Sequence, residues 1–309
     1  MPVLTTSDFA VTSSGTTIYV YYQQDHSLIE TTSDDGKTWA KSSGEVASDL
    51  NPDGSPFTAY YVRHDGTAGG NPSVHVIYVD KEGHLVELVK QPVSGNKWTK
   101  RDLAAVTHKP VNTSKLTSAV CHDSAPGAHQ WFFFEESNET STPQIAEYRS
   151  GSESNWSWRY QAVLPEKSGT ALPGTQLACY MSNPTTHLFF QTHSGNILEC
   201  LGGYADWTSS KEILTADKVE ISTPLVAVAS NEVDKPYVFY VDKAATHMIQ
   251  VYKDGKSTPV TKHMPGTRLG AGVLNSEVYL IHRRVEDTSG IYASSYDGNK
   301  WHVAEAKVN

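Results

Sequence analysis

The sequence has little of what would define several common kinds of protein. It has three cysteines, Cys121, Cys179 and Cys200, which are too few for a disulfide scaffold, and no CxxC pair that would indicate zinc. One disulfide with a free thiol and three buried thiols both stay open. No apolar run approaches the roughly 20 residues of a membrane-spanning helix. The absence of such a run predicts no membrane partner.

Positive charge is also scarce, with 25 lysines and arginines against 34 aspartates and glutamates and a formal net charge of −9. Nucleic-acid-binding proteins concentrate positive charge, so no nucleic-acid partner is expected. Glycine-rich phosphate loops, GxSxG elbows and Cys–His nucleophile signatures are missing. The 13 histidines form no HxH or HExxH pair. We therefore predict neither a metal nor a cofactor.

The N-terminal stretch MPVLTTSDFAV lacks the basic and apolar segments of a signal peptide. Three N-x-S/T sequons occur, at Asn112, Asn138 and Asn155. They favour a glycoprotein that is secreted or vacuolar and whose signal is absent from this chain. A cytoplasmic location is the alternative.

The sequence does contain a sixfold repeat. Each copy has a run that ends in aromatic residues, a polar turn, a second run with a carboxylate, and then Gly or Asn followed by Trp. The copies begin at Ile18, Val74, Gln130, His187, Tyr237 and Val278, and the fifth lacks the Trp. A strand of small residues, such as SKLTSAV from Ser114, precedes each copy. The period of roughly 45–60 residues is the size of a four-stranded propeller blade.

These features predict an all-β fold, a six-bladed β-propeller with four-stranded antiparallel blades. β-Branched and aromatic residues dominate the runs, while Gly, Asn, Asp and Pro separate them. No long stretch has a 3.6-residue apolar period, so helices should be few. Six units fill residues 1–309, which leaves a single domain. A β-sandwich with coincidental repeats is the alternative.

Several repeat motifs resemble those of the fungal fucose-specific lectins. VYYQ at Val20–Gln23 and LFFQ at Leu188–Gln191 are similar to the aromatic strand of the lectin blade. SKL at Ser114, TPL at Thr223 and LPGT at Leu172 resemble the starts of its inner strands. The resemblance covers all six repeats. It implies fucose sites between adjacent blades, each with an Arg, a Glu and an aromatic residue from the neighbouring blade.

The sequence keeps half of that sugar site. The carboxylate is present in four blades, as Glu30, Glu87, Glu147 and Glu199. Gln250 and Ala293 replace it in the last two blades. The arginine is missing from all six, and its positions hold Tyr19, His75, Gln130, His187, Tyr237 and Glu277. We therefore predict weak or undetectable binding of free fucose and carboxylates that are vestigial or contact another ligand.

The segment from Thr32 to Trp39 matches the Asp-box of sialidase-like propellers. We interpret it as a structural hairpin turn in which Asp34 accepts hydrogen bonds from turn amides and Trp39 packs beneath. The motif occurs once, and no set of three arginines is available for a sialic-acid carboxylate. A sialidase is therefore not expected.

A second set of residues precedes the inner-strand leucines, where it would surround one mouth of the central channel. The set consists of Asp8, Pro56, Lys115, Gln176, Pro224 and Arg268. Lys115 and Arg268 could polarise a carbonyl there. The alternative is that Lys115 and Arg268 are solvated charges at the rim of the channel.

Three functions fit these patterns. A diverged fungal branch that resembles the lectins, the hetero-Diels–Alderases of tropolone–sesquiterpenoid biosynthesis, joins a quinone methide to a humulene-type alkene without a cofactor. This hypothesis predicts one pocket for hydrophobic substrates. The pocket would act by aligning the two substrates and by supplying a few hydrogen-bond donors. Its catalytic candidates are Lys115, His187 and Arg268, and its substrate-binding candidates are Tyr19, His75, Gln176, Trp207 and Tyr237. The alternatives are a glycan-binding lectin with altered or lost fucose specificity and a protein-binding propeller.

Overall fold

The computed structural model consists of six separate four-stranded sheets, each with its strands in chain order. It describes residues 3–4, 6–66, 69–101, 103, 106–121, 129–137, 143–151, 155, 157–162, 170–182, 185–203, 206–229, 236–244 and 247–309, without the side chains of Ser137, Pro143, Ala162, Ala304 and Glu305. Every pair of neighbouring strands is antiparallel. The prediction of an all-β propeller with six four-stranded blades is confirmed.

The strands of blades 1 to 3 cover the first half of the chain. Blade 1 contains β1 (Phe9–Ser13), β2 (Ile18–Gln24), β3 (Ser27–Ser33) and β4 (Ala40–Lys41). Blade 2 contains β5 (Phe57–Val62), β6 (Ser73–Val79), β7 (Leu85–Lys90) and β8 (Trp98–Arg101). Blade 3 contains β9 (Thr117–Cys121), β10 (His129–Ser137), β11 (Pro143–Ser150) and β12 (Arg159–Ala162).

Blades 4 to 6 repeat the arrangement in the second half. Blade 4 contains β13 (Ala178–Ser182), β14 (Thr185–Gln191), β15 (Ile197–Gly202) and β16 (Trp207–Leu214). Blade 5 contains β17 (Val226–Val228), β18 (Tyr237–Val241), β19 (Met248–Lys253) and β20 (Lys256–Lys262). Blade 6 contains β21 (Gly270–Leu274), β22 (Glu277–Arg284), β23 (Asp287–Tyr296) and β24 (Trp301–Lys307). No helix among the described residues is long and apolar enough to cross a membrane.

The hydrophobic core is divided among the interfaces between blades. Successive side chains of a strand point to opposite faces of its sheet, so each blade packs one apolar face on each neighbour. On β2, for example, Tyr19 and Tyr21 pack towards blade 2, whereas Val20 and Tyr22 pack towards blade 6. Six clusters of buried residues result, and each joins two adjacent blades. The ring closes where blade 6 packs on blade 1.

A buried hydroxyl precedes each inner strand. The six residues are Ser7, Ser55, Ser114, Thr175, Thr223 and Thr267. In four blades this hydroxyl accepts a hydrogen bond from a backbone amide of the second strand, at 2.8–2.9 Å. The side chain supplies a partner for an N–H group that would otherwise be buried without one. It thereby fixes the start of the inner strand against its neighbour.

The three cysteines are free and buried. Of the two arrangements that the sequence allowed, the structure therefore has three buried thiols and no disulfide among them. Burial raises the pKa of the Cys179 thiol to about 12, which keeps it protonated at neutral pH.

Candidate functional site

The strand pairing defines one equivalent position on the third strand of every blade. Glu30 pairs with Tyr21, Glu87 with Ile77, Glu147 with Phe133 and Glu199 with Phe189. In blade 5 the residue at this position is Val251, opposite Phe239, so the prediction of Gln250 is wrong by one residue. Ala293 holds the position in blade 6, as predicted.

The same register places a second position two residues earlier on the second strand. Its occupants are Tyr19, His75, Trp131, His187, Tyr237 and Tyr279. The predictions of Gln130 and Glu277 are therefore wrong. The occupant in blade 3 lies one residue later than predicted, which reverses the face of the side chain, and the occupant in blade 6 lies two residues later. No blade carries an arginine at this position.

Between blades 1 and 2, Glu30 forms a buried ion pair with a lysine of the next blade. Lys90 Nζ lies 2.7 and 2.6 Å from the two carboxylate oxygens, and both side chains are nearly inaccessible. Tyr21 and Ser42 also donate hydrogen bonds to Glu30. The ammonium group of Lys90 lies 4.9 Å from the ring centre of Tyr19. Because both carboxylate oxygens are engaged, Glu30 offers no open position for a ligand.

Between blades 2 and 3, Glu87 lies in a buried network around His75. Nδ1 of His75 lies 2.8 Å from Glu87, and Nε2 lies 3.0 Å from Asp65. Burial favours the neutral imidazole, but hydrogen bonds to the two carboxylates outweigh it and raise the pKa of His75. Tyr60 and the indole of Trp158 donate further hydrogen bonds to Glu87. This interface is therefore also closed.

Between blades 3 and 4, Glu147 is buried against an indole. Trp207 Nε1 donates a 2.6 Å hydrogen bond to Oε2 of Glu147. Burial raises the pKa of Glu147 to about 7, because the indole and the charge of Arg149 offset only part of the desolvation. Trp207, a predicted substrate-binding residue, thus covers the carboxylate.

A tryptophan at the start of the fourth strand covers the preceding blade at five of the six interfaces. The five are Trp39, Trp98, Trp158, Trp207 and Trp301. Blade 5 has none, because the turn at Asp254 and Gly255 joins β19 directly to Lys256, the first residue of β20. The interface between blades 4 and 5 therefore lacks the indole that covers each of the others.

At this interface Tyr180, His187 and Glu199 form an arrangement that reaches solvent; we call it the open position. His187 Nδ1 lies 2.7 Å from Glu199 Oε1, and both side chains are 17% exposed. The Tyr180 ring stacks on the imidazole, with ring centres 4.3 Å apart. Burial and the charge of Glu199 raise the pKa of Tyr180 above its usual value. Glu30, Glu87 and Glu147 are only 0–2% exposed, so the open position is the accessible one of the four carboxylate positions.

The hydrogen bond between these two side chains fixes the chemistry that they offer. A carboxylate only accepts, so Nδ1 of His187 carries the hydrogen and the neutral imidazole leaves Nε2 as an acceptor. In the described part of the chain, no protein group bonds Nε2 of His187 or Oε2 of Glu199. The pair can therefore accept hydrogens from a ligand with two adjacent donors, and a protonated imidazole would add a donor.

The remaining two interfaces carry no carboxylate at the equivalent position. Tyr237 accepts a 2.6 Å hydrogen bond from Lys253 of its own blade, which also lies over its ring. Phe239 of blade 5 packs against Trp301 of blade 6. Tyr237 was predicted to bind substrate, and it lies in an apolar interface instead of an accessible pocket.

The central channel forms a separate cavity of about 680 Å³, which we call the central bowl. Residues from the second half of each of the six inner strands line it, including Tyr61, Tyr180 and Met181, with Arg63 just beyond β5. A narrow continuation of about 90 Å³ runs between the starts of the inner strands. The sequence analysis did not identify these lining residues, because the alternation of buried and half-buried residues along β9 is visible only in the structure.

The residues predicted at the other mouth of the channel are divided among separate contacts. Arg268 Nε lies 3.3 Å from Asp8 Oδ1, and Asp8 is buried. Burial raises the pKa of Glu135 to about 7, although the positive charge of Lys115 lowers it. Gln176 lines the narrow continuation. Lys115, His187 and Arg268 lie in blades 3, 4 and 6, and no described contact joins them, so the structure does not bring the predicted catalytic set together.

The other sequence motifs have structural positions. Asp35, and not Asp34 as predicted, accepts hydrogen bonds from the turn amides of Lys37 and Thr38. Asp34 instead accepts one from Thr17. The described residues contain no group of three metal-ligating side chains. Asn112 and Asn155 are exposed, whereas Asn138 lies outside the described residues.

The solved structures that superpose on this chain include lectins with the same fold. The fucose-specific lectin from Aleuria aurantia superposes with a TM-score of 0.74 at 18% identity, over 99% of this chain and 96% of that one. AofleA from Arthrobotrys oligospora gives 0.77 at 20% identity, over 99% and 86%. The SapL1 lectin, in complex with α-methyl fucoside, gives 0.71 at 17% identity, over 99% and 98%. No family model and no curated protein matches the sequence. These likenesses establish the six-bladed propeller fold.

Proposed function

We propose that the chain is a glycan-binding propeller that binds one saccharide unit at the open position between blades 4 and 5. The proposal depends on one observation: Tyr180, His187 and Glu199 are the accessible form of an arrangement that indoles and a lysine cover elsewhere. Each of the three superposed lectin chains is covered over at least 86% of its length, which supports a binding role for the whole propeller.

The chemistry of the open position suits a sugar. Nε2 of His187 and Oε2 of Glu199 accept from neighbouring hydroxyl groups, and vicinal hydroxyls present such a pair of donors. The stacked rings of Tyr180 and His187 provide a flat surface beside these acceptors. Without an arginine, the donors that would fix fucose in the resemblance described above are absent. We therefore propose altered or lost fucose specificity, with Glu30, Glu87 and Glu147 retained as vestigial, internally bonded carboxylates.

Calorimetric titration with a panel of saccharides tests this function. We expect one bound molecule per chain and weak or undetectable binding of free fucose. His187→Gln and Glu199→Gln should each weaken binding at least about 10-fold, because each removes one charge-assisted or directional bond. His193→Gln, in an exposed turn of the same blade, is the matched control and should bind normally. Several bound fucose molecules per chain, or unchanged binding by both variants, would overturn the proposal.

A second candidate is the cofactor-free hetero-Diels–Alderase, and one observation favours it. The central bowl has the volume of a small-molecule pocket and walls that include Tyr61, Met181 and Val228. Alignment of two hydrophobic partners is the catalysis that such walls can provide. Comparison of product formation with the spontaneous cycloaddition tests it. An unchanged rate and product ratio in the presence of the protein would exclude it.

A secreted or vacuolar location is a further proposal. It rests on exposed sequon residues at Asn112 and Asn155. The protein from its native source should lose mass on treatment with an N-glycosidase. An unchanged mass would count against passage through the secretory pathway.

A further inference from the structure

The central bowl has a charge distribution that differs from that of the whole molecule. The chain carries 34 aspartates and glutamates and a formal net charge of −9. None of these acids is among the described residues that line the bowl, and Arg63 is the one charged residue among them. A cation at the edge of a cavity favours an anion over a neutral or cationic ligand.

Arg63 is available for such an interaction. It is exposed just beyond the end of β5, and no acidic side chain in the described ranges pairs with it. The nearest acid along the chain, Asp65, is turned to other partners: Ser73 donates a 2.7 Å hydrogen bond to it, and His75 lies at 3.0 Å. Tyr61 also lines the bowl; burial raises the pKa of its hydroxyl, and the charge of Arg63 offsets part of that rise.

The other blades contribute an apolar wall. Val120, Met181, Val228 and Val273 line the bowl and are half-buried, so each presents apolar surface to the cavity. The volume of about 680 Å³ lies within the range of small-molecule pockets, roughly 300–1,000 Å³. The cavity therefore combines an apolar wall and polar lining residues, such as Ser13 and Ser276, with a cation at its edge.

We propose that the central bowl binds a small amphipathic anion, with its apolar body against the valine and methionine wall and its carboxylate or sulfonate group against Arg63. This site shares Tyr180 with the open position between blades 4 and 5, but neither His187 nor Glu199 lines it, and it does not depend on glycan binding there. Arginine is suited to the role because its planar guanidinium group can hold both oxygens of a carboxylate or sulfonate.

Two fluorescent probes that differ in one group test the proposal. Anilinonaphthalene sulfonate carries the anion, and phenylnaphthylamine has a similar aromatic body without it. We expect saturable binding of one sulfonate probe per chain, several-fold tighter than that of the uncharged probe. Arg63→Ala should weaken the sulfonate probe about 10-fold and leave the uncharged probe unchanged. Equal affinities of the two probes for the unmodified chain would overturn the assignment of Arg63.

A second set of variants tests the location. Val228→Trp should narrow the bowl and weaken binding of both probes, whereas Val303→Trp, at a 42% exposed position on β24, is the matched control and should bind both normally. Met181→Trp provides an independent block if the first variant does not fold, as judged by its near-ultraviolet spectrum. Unchanged affinity of both probes for a folded blocked variant would refute the site. Glu199→Gln should not change either probe, so failure here is distinct from failure of the proposed glycan site.

Discussion

At the scale of single residues, Glu147 couples stability to pH. Burial raises its pKa to about 7, above the value of 4.5 for an unperturbed carboxyl. The native state therefore holds this proton more tightly than the unfolded chain does. Its contribution to stability is fully present below pH 4.5 and is lost as the pH rises through about 7.

We predict that Glu147→Gln reduces the loss of stability between pH 5 and pH 8. A neutral amide cannot ionise, so the variant avoids a penalty that reaches about 3 kcal/mol at most. Urea unfolding at the two pH values measures the difference. Glu212→Gln, an exposed position on β16, should retain the pH dependence of the unmodified chain. An equal loss in both variants would show that Glu147 does not control it.

His75 and His187 show how far the sequence could predict the candidate site. The repeat placed both at one position and identified both as candidate contacts, and the strand register confirms that equivalence. Their environments differ because of the next blade: Trp158 covers the first network, whereas blade 5 has no tryptophan. The missing tryptophan is visible in the sequence. Its consequence for His187 is not, because it acts across an interface between repeats.

At the scale of the strand, the hydroxyl ahead of an inner strand can accept a hydrogen bond from a backbone amide of the second strand. The pattern of small residues in the sequence did not predict this hydrogen bond. Thr223 accepts a 2.8 Å hydrogen bond from the amide of Val241 and is buried. We predict that Thr223→Val destabilises the protein by about 1–3 kcal/mol, because the amide then has no partner. Thr223→Ser should restore most of the stability.

Urea unfolding with a matched variant separates this effect from a general response of blade 5. Thr258 lies on β20 of the same blade and is exposed, so Thr258→Val should change the free energy of unfolding by no more than about 0.5 kcal/mol. Equal effects of the two valine substitutions would contradict a specific role for the Thr223 hydroxyl.

The register of the strands was the part of each element that the sequence predicted least well. Blade 3 reads QWFFFEE and blade 6 reads VYLIHRR, and neither run alternates between apolar and polar residues. Both faces of these strands are buried between blades, so periodicity cannot distinguish them. Where one residue of the pair was distinctive, as with His187 and Glu199, the predicted register was correct.

At the scale of the whole molecule, closure of the ring depends on packing and side-chain bonds instead of a shared sheet. Each blade is built from consecutive strands, so no strand of blade 1 completes blade 6. Val3 near one terminus and Val308 near the other lie in the cluster that joins these blades. Arg283 of blade 6 adds a directional contact, because its Nη2 donates a 2.6 Å hydrogen bond to the carbonyl of Leu4.

We predict that Arg283→Met weakens this closure. Arg283 is fully buried, and its Nη1 also bonds the carbonyl of Thr288 at 2.9 Å, so the substitution leaves two carbonyls with one partner fewer. The expected cost is about 2–4 kcal/mol in the free energy of unfolding. Hydrogen exchange should accelerate first at the amide of Leu4, which bonds Gln23 across blade 1, while the amide of Val241 in blade 5 stays protected.

The adjacent arginine provides the control for this prediction. Arg284 is 40% exposed and pairs with Glu286 at 3.5 Å on the surface. Exposed ion pairs contribute little, so Arg284→Met should cost at most about 1 kcal/mol and should not change exchange at Leu4. If the two variants were equally stable, or if exchange accelerated uniformly in all six blades of the Arg283 variant, closure would depend on the hydrophobic cluster between blades 6 and 1 and not on the arginine.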